Sequence, residues 1–344
     1  MNTTLIYEAI KKALVEGESK VSLNEASALT GSGSGIGGRT IYDDSFASLR
    51  MANPIRTYAR QITTIGSDEA FVAKTGNATN PDNPWGYDFT PNVGTPGEDT
   101  AYWQIPVKVI SAQIPIRTAV LSDINALEES VVMDLALEFL QQEALSMMLN
   151  NDQSGSITTT TGAEYGLRGL NSYPSSTTAA SFGTNGSALD DGIHTVLTVA
   201  QVGEYLVYND IANLASALPA QYWNFDTTCW MMHPTTIRNL RELTGGTSGL
   251  PVFLEVGSDT GSAVGNIFGH CVCPNPYMDV EGGVGKFPVY LADWSRFVTI
   301  ADNEEFTFKR FEQTQPGFVT LYAEKRMVST IRDVYAGVRL SWFD

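Results

Sequence analysis

The sequence predicts an α+β fold, and three observations carry that prediction. A single long helical pattern runs through residues 121–149. A strictly alternating apolar segment precedes it at residues 101–117. From Gly265 to the C-terminus the chain reads as a succession of short strands. Helices followed by strands, without regular interleaving, fit α+β rather than a parallel α/β sheet.

Taken in chain order, Leu5, Ile6, Ala9, Ile10, Ala13 and Leu14 recur at helical spacing, and Gly17 stands where such a helix would stop. Two readings are open: a helix packed on its own domain, or an arm that docks on a neighbour. The Gly/Ser tract Thr30–Thr40 reads as a flexible linker. Gly33, Gly35 and Gly38 match G-x-G-x-x-G, but no apolar strand precedes them and no βαβ unit follows, so the linker reading wins over a dinucleotide site.

Residues 76–97 hold eight Gly or Pro in 22 positions and four Asn, the composition of turns, yet carry Trp85, Tyr87 and Phe89. Beyond them, Ala101–Arg117 alternates with period two. Trp103, Ile105, Val107 and Val109 share one face, and Ile114 and Ile116 follow after a slip at Ser111. Twelve residues at strand rise reach roughly 40 Å, and Phe71, Val72 and Ala73 can supply the returning strand. An isolated two-stranded hairpin is marginal in water. A long one with an aromatic tip points to a surface completed by a partner.

Leu121–Leu149 is the strongest helix. Ser122 can cap it, and Asp123, Glu128 and Glu129 suit the positive end of its dipole. Ile124, Leu127, Val131, Leu135 and Phe139 form its apolar stripe, continued by Leu145 and Leu149. Residues 153–190 read as a polar loop around Tyr165–Leu170 ("YGLRGL"). Thr198–Leu218 reads as a second helix with Val202, Leu206, Ile211 and Leu214 inward and Pro219 closing it. Cys229–Met232 is a short apolar strand, and Pro234 opens a third helix in the favoured first turn, with Gly245 and Gly246 ending it. The strands expected after that are 267–272, 289–292, 297–300, 306–311, 318–322, 327–331 and 337–342.

Hydrophobic residues make up 43% of the 344, enough for a packed core. The net charge of -17 argues against nucleic-acid binding through the surface as a whole, which needs Lys and Arg clusters. Three cysteines do not make a disulfide framework. The first segment lacks the pattern of a secretory signal, and no uncharged apolar run is long enough to span a bilayer. The expectation is a soluble product of a reducing cytoplasm.

No catalytic pattern emerges. "GGVGKF" around Gly285 and Lys286 lacks Walker spacing and has Phe287 at the Ser/Thr place, and no G-x-S-x-G elbow occurs. Glu128 with Glu129, and Glu304 with Glu305, read as solvated carboxylates, and His194 has no nucleophile beside it in sequence. Cys229, His233, His270, Cys271 and Cys273 fall within 45 residues, and zinc takes these ligand types. Cys229, His233, Cys271 and Cys273 are therefore the metal candidates. Against them, no C-x-x-C pair exists, and a strand over "HCVC" turns Cys271 and Cys273 one way and His270 the other. Buried cysteines acting as small hydrophobes are the commoner case. The expectation is no metal, no cofactor and no catalytic residue.

Four phrases in fixed order carry a family resemblance: Thr227–Leu243 ("TTCWMMHPTTIRNLREL"), Val264–Met278, Phe287–Phe311 and Gly317–Leu340. Within them stand Ala292, Asp293, Trp294, Ser295 and Phe297, then Ala323, Glu324 and Arg326, then Ala336 and Val338. The order resembles major capsid proteins of tailed bacteriophages with the HK97-type fold, over roughly residues 55–344, and "YGLRGL" is similar to that family's Gly-Leu phrase. The resemblance implies an N-terminal arm and linker at 1–58 and an extended β-hairpin loop at 59–118. It further implies a peripheral domain with a long spine helix at 119–190 and 306–344, and an axial domain at 191–305.

It also implies an icosahedral shell of hexamers and pentamers around double-stranded DNA bound without sequence specificity. Portal and decoration proteins would be partners, with assembly in the host cytoplasm and residence in the virion. About 55 residues precede the matched region and begin with Met1, so a separate scaffolding protein is expected. Lys74 is the nearest loop lysine, and no Asn follows Asn303, so the covalent cross-link of some relatives is not expected. Trp85, Tyr87, Phe89 and Trp103 become the expected subunit contacts. The alternatives are an encapsulin-like compartment, a β-rich hydrolase and an adhesion module.

Overall fold

The computed structural model describes residues 51–66, 68–74, 100–117, 127–150, 166–177, 194–201, 203, 205–223, 226–245, 249–255, 264–315 and 318–342. The expected N-terminal helix, the Gly/Ser tract and the aromatic tip at 85–89 lie outside them. The chain forms two compact units. The larger takes Arg50–Gln113, Leu135–Lys309 and Tyr322–Asp344, and the smaller takes Met1–Leu49, Ile114–Asp134 and Arg310–Leu321.

The first elements in chain order are α1 (Ile55–Tyr58), β1 (Arg60–Thr63), β2 (Asp68–Lys74), β3 (Thr100–Pro106), β4 (Lys108–Arg117) and α2 (Leu127–Leu149). The middle of the chain gives β5 (Ser175–Ser176), β6 (Val196–Ala200), α3 (Tyr208–Ala217), β7 (Thr228–Met232) and α4 (Pro234–Arg241). Short strands β8 (Thr244–Gly245), β9 (Leu250–Pro251) and β10 (Leu254–Glu255) follow, then β11 (Gly265–Ile267) and β12 (His270–Pro274). The last part holds β13 (Val289–Asp293), α5 (Trp294–Phe297), β14 (Val298–Gln315), β15 (Phe318–Ile331) and β16 (Gly337–Ser341).

An eight-stranded mixed sheet, in order β10-β11-β12-β7-β13-β16-β6-β5, holds the core. Its centre is β7 ("TCWMM") and β13 ("VYLAD"), antiparallel with Leu291 opposite Trp230, and all ten of their residues are buried. Strands covered on both faces read as continuous apolar runs, as these do. Trp230 and Trp294 fill the interior with their indole N–H groups satisfied: Trp230 Nε1 donates to the Ile267 carbonyl at 3.1 Å and Trp294 Nε1 to the Cys229 carbonyl at 3.0 Å. Phe297 meets Trp294 edge-on at 5.9 Å. A Cβ at Gly337 would fall 2.6 Å from the Phe297 ring, so only glycine lets β16 lie this close. Because β16 sits between β13 and β6, the C-terminal strand joins the same sheet as residues 196–293.

A second sheet has the order β1-β14-β15-β4, with β1 parallel to β14 through Thr63 opposite Asp302. The polar run 302–305 reads as a turn in sequence. It is instead continuous strand, because β1 and its extension hold it: Thr64 N donates to the Asp302 carbonyl at 3.0 Å and Asn303 Nδ2 to the Gly66 carbonyl at 2.7 Å. The expected 297–300 and 306–311 strands are thus one element. The 318–322 and 327–331 strands likewise merge into β15.

Three other expectations change. The helix expected from Thr198 starts at Tyr208, where the Asp210 carboxylate accepts from Val207 N at 3.0 Å and so fixes the first turn. The β-branched Val196, Thr198 and Val199 form a strand instead. Leu206, Ile211 and Leu214 are buried as expected. Residues 267–272 are not one strand but the turn of a hairpin: Phe268 (φ 50°) and Gly269 (φ 86°) are its two central residues, both left-handed. Finally, the slip expected at Ser111 occurs at Val107, which belongs to neither β3 nor β4. Beyond it Lys108, Ile110 and Ala112 are half-buried while Val109, Ser111 and Gln113 are exposed, so Val109 leaves the face of the buried Ile105.

Candidate assembly surface

The candidate surface begins with the root segment that leads into the β2–β3 hairpin. Asn53 Oδ1 accepts from Ile55 N at 3.0 Å and starts α1, and α1 places Arg56 against α2 and β14. On α2, Leu135, Phe139, Glu143 and Met147 lie four residues apart on the buried face, with Ala144 and Met148 beside them. The stripe therefore passes through a carboxylate rather than continuing to Leu145 and Leu149, which are half-buried.

Glu143 is fully buried and accepts from four groups: Asn53 Nδ2 at 2.8 Å, Arg56 Nε at 2.5 Å, Arg56 Nη2 at 3.0 Å and Lys325 Nζ at 2.7 Å. Arg56 also forks onto Asp302, Nη1 to Oδ2 at 2.8 Å and Nη2 to Oδ1 at 2.7 Å. Burial alone would ease its proton off, but the hydrogen bonds to Asp302 and Glu143 outweigh that and hold the guanidinium firmly charged. The knot ties α1, α2, β14 and β15 together. Removing one member of such a buried set costs roughly 3–5 kcal/mol, because the others are left unpaired in low dielectric. The legible signal was Glu143 itself, a carboxylate on the core side of a helix.

From this root the hairpin extends as an antiparallel pair, Asp68 opposite Pro106 and Lys74 opposite Thr100. Trp103 stands opposite Phe71. Of the four sequence-named contacts, Trp103 alone is on a described element; Trp85, Tyr87 and Phe89 lie outside the described residues. Beside the root, Ile65 is 97% exposed and Val109 56%. Ile65 was not singled out in sequence and Val109 was expected on the face of Ile105; both are apolar side chains left to water where the hairpin leaves the sheet.

A second buried cation fixes the "YGLRGL" phrase. Arg339, fully buried on β16, donates to the carbonyls of Leu170 (2.8 Å) and Tyr173 (2.6 Å) and to the hydroxyls of Thr198 (3.1 Å) and Ser175 (2.9 Å). It also stacks 3.9 Å over the Phe287 ring. On the other side of the phrase, Asn150 Nδ2 donates to the Leu167 carbonyl at 2.8 Å and Gly169 N to the Asn150 carbonyl at 2.9 Å. A Cβ at Gly169 would sit 2.6 Å from the Asn150 backbone, so the glycine is what lets the phrase reach the end of α2.

The phrases of the last third are likewise structural. Asp293 is buried and accepts from Thr227 Oγ1 at 2.5 Å and Ser295 Oγ at 2.9 Å. His233 caps α4, its Nδ1 accepting from Thr235 N at 3.2 Å ahead of Pro234. Glu324 binds Arg326 at 2.6 Å and Tyr322 Oη at 2.8 Å, and these bonds lower its proton affinity.

Among the metal candidates, Cys229 and Cys271 are brought side by side, directly opposite on β7 and β12. Cys273 is two residues further along, with its Sγ 3.8 Å from the Pro274 carbonyl. His233 is on the α4 cap instead. Among the described residues no group of three or more His, Cys, Asp or Glu could hold a metal. His194 is buried and stacked on Tyr173 at 6.4 Å, and burial followed by the charge of Arg168 lowers its pKa to about 4. No helix among the described residues is long and apolar enough to cross a membrane.

The sequence model of the Phage capsid family matches residues 38–338. Among solved structures, the capsid of a native GTA particle is similar at 17% identity with a TM-score of 0.69, covering 94% of this chain and all of that one. A chain of Mycobacterium phage Bobi is similar at 12% identity and a TM-score of 0.55, covering 95% of this chain and 100% of its own. The SrpI encapsulin complex of Synechococcus elongatus is similar at 11% identity and a TM-score of 0.54, covering 94% and 95%. No curated protein matches the sequence.

Proposed function

The chain belongs to the phage capsid family, and from that premise we propose that its copies close into an icosahedral head of hexamers and pentamers around double-stranded DNA. It is a shell-forming capsid protein with an HK97-type fold, its place is the capsid of the virion, and its principal partner is itself. The family match over residues 38–338 carries this reading.

In the proposed layout residues 1–58 are the arm and linker and 59–118 the extended loop. Residues 119–190 with 306–344 form the proposed peripheral domain, with α2 as its spine, and 191–305 the axial domain; β16 and β5 are the exceptions, since both lie in the sheet of β6, β7 and β13. The work is assembly rather than catalysis, with no cofactor. Trp85, Tyr87, Phe89 and Trp103 are the proposed subunit contacts, joined by Ile65 and Val109, which are exposed at the hairpin root. Head-to-tail contacts that close by rotation make rings, and many modest contacts per copy make the shell stable. A net charge of -17 supports an interior that does not grip the genome. A separate scaffolding protein, a portal and decoration proteins complete the proposed partners, with assembly in the host cytoplasm.

Size-exclusion chromatography and negative-stain microscopy of the purified chain, alone and with its scaffold, test the reading. Closed shells or capsomers are expected, and a persistent monomer under both conditions would sink it. Trp85→Ala with Phe89→Ala should spare the fold of the monomer and impair assembly. An early melt of the mutant monomer would assign those aromatics to its own core. A second reading, an encapsulin-like compartment, draws on the likeness to the encapsulin complex. Nucleic acid inside purified particles supports the head, and a packaged protein supports the compartment.

A further inference from the structure

The cysteine-bearing strands β7 and β12 offer a site that the proposed assembly does not use. Cys229 on β7 and Cys271 on β12 are in-register partners on neighbouring parallel strands. Parallel strands lie about 4.8 Å apart, within the Cα separation a disulfide spans. Residues opposite each other on neighbouring strands point to the same face of the sheet, so the two thiols are neighbours, and Cys271 Sγ also lies 4.0 Å from the Thr228 carbonyl. Cys229 is buried, whereas Cys271 is half-buried and reachable from outside. Cys273, opposite Met231, is buried and two pairs further along.

We propose that Cys229 and Cys271 are a latent disulfide within one chain, closed by exchange with a low-molecular-weight disulfide once the protein leaves a reducing environment. Cys271 reacts first. Its thiolate attacks one sulfur of oxidised glutathione, a Cys271–glutathione disulfide forms, and one glutathione thiolate leaves and takes a proton from water. Cys229 Sγ then attacks Cys271 Sγ, its proton passing to the departing glutathione sulfur. The protein disulfide forms and the second glutathione leaves as a thiol. Two protein thiols are oxidised and one glutathione disulfide is reduced to two thiols.

The surroundings fit that order. The Cys229 thiol and then the Tyr58 hydroxyl donate to Cys271 and, against partial burial, bring its pKa down to about 7, while burial pushes Cys229 well up. The half-exposed thiol is therefore the nucleophile and the buried one the resolver. Virion surfaces are among the settings where disulfides persist. The geometry belongs to a single chain, so the inference does not depend on the assembly reading.

The test is to incubate the full-length protein, assembled or not, with oxidised glutathione. Free thiols are then counted after denaturation and the linked peptides mapped by mass spectrometry. The expected result is a fall from three thiols to one, with a peptide pair joining Cys229 to Cys271 that dithiothreitol reverses. Cys271→Ser, at the half-buried position, should keep both of its remaining thiols. Cys273→Ser should go from two to none. Three thiols retained, a glutathione adduct that stays on Cys271, or a bridge that includes Cys273 would each overturn the proposal, and the wild-type peptide map decides even if a variant does not fold.

Discussion

Arg56 and Arg339 are both withdrawn from water, and the fold satisfies them by different means. Arg56 lies between two carboxylates, with Lys325 sharing the same acceptors, and its side chain keeps 16% exposure while Asp302 keeps 26%. Arg339 is fully buried and its hydrogen-bond acceptors are two backbone carbonyls and two hydroxyls, with an aromatic ring against its flat face. The first arrangement is charge against charge, near the surface, at the base of the hairpin. The second is a shaped cage of neutral dipoles inside the large sheet. A charge pair at partial exposure answers to salt and to loss of a partner. A neutral cage answers to geometry, because a planar fork of donors is what its four acceptors fit.

The strongest attempt to break this contrast is Glu143→Leu. It leaves Arg56 and Lys325 sharing Asp302 alone, and about 3–5 kcal/mol of stability should go, read by urea unfolding of the unassembled chain. A loss under about 1 kcal/mol would mean the knot is solvated and the contrast false.

Acid should strike the other region. His194 stacks on Tyr173, whose carbonyl accepts from Arg339. Its folded pKa of about 4 lies below the ordinary 6.5, so the unfolded chain binds the proton more readily. The stability associated with neutral His194 is complete above about pH 6.5 and is lost as pH falls toward 4, by about 3 kcal/mol. His194→Phe keeps a ring against Tyr173 and should remove that part of the pH slope. An unchanged slope between pH 6.5 and 4 would show that His194 does not contribute to it.

Arg339→Lys retains the charge and loses the fork, and should cost about 2 kcal/mol with little dependence on salt. Tolerance at the wild-type melting temperature would reduce the cage to a charge requirement. The smallest expected effect is Asp302→Asn, about 1 kcal/mol at low salt and less at high salt. A salt-independent loss would place Asp302 with the buried region rather than the exposed one.

Much of the fold was legible where one rule governs a segment. The β7 strand and the Pro234 helix follow from an apolar run and a Pro at the first turn, and the hairpin from period two. Legibility failed where a partner distant in sequence decides. Residues 302–305 look like a turn and belong to a strand that β1 flanks as far as Asp302, with β15 as its other neighbour. The turn at Phe268-Gly269 was hidden because a large aromatic occupies a left-handed position usually given to Asn or Gly; its ring, half exposed, meets Tyr208 edge-on at 5.9 Å. Arg339 was hidden in the apolar strand phrase "GVRL", since no local pattern tells a buried cation from an outward one. Glu143 was visible as an exception in a helical stripe, but its cations come from residues 56 and 325. The family resemblance reached the function because ordered phrases survive where single motifs do not. The subunit contacts it implied remain proposals.

The clasp at the hairpin root also sets a schedule. Arg56 is joined to Asp302 across 246 positions and Lys325 to Glu143 across 182, and a ribosome delivers the chain from its N-terminus. Residues 53–63 are synthesised early, yet their anchor is incomplete until almost the whole polypeptide has emerged. A nascent or truncated copy ending before Asp302 therefore holds its hairpin by a root that has not closed. Only once Asp302 and Lys325 have been made is that root complete, so the last part of the chain finishes an anchor begun near its start.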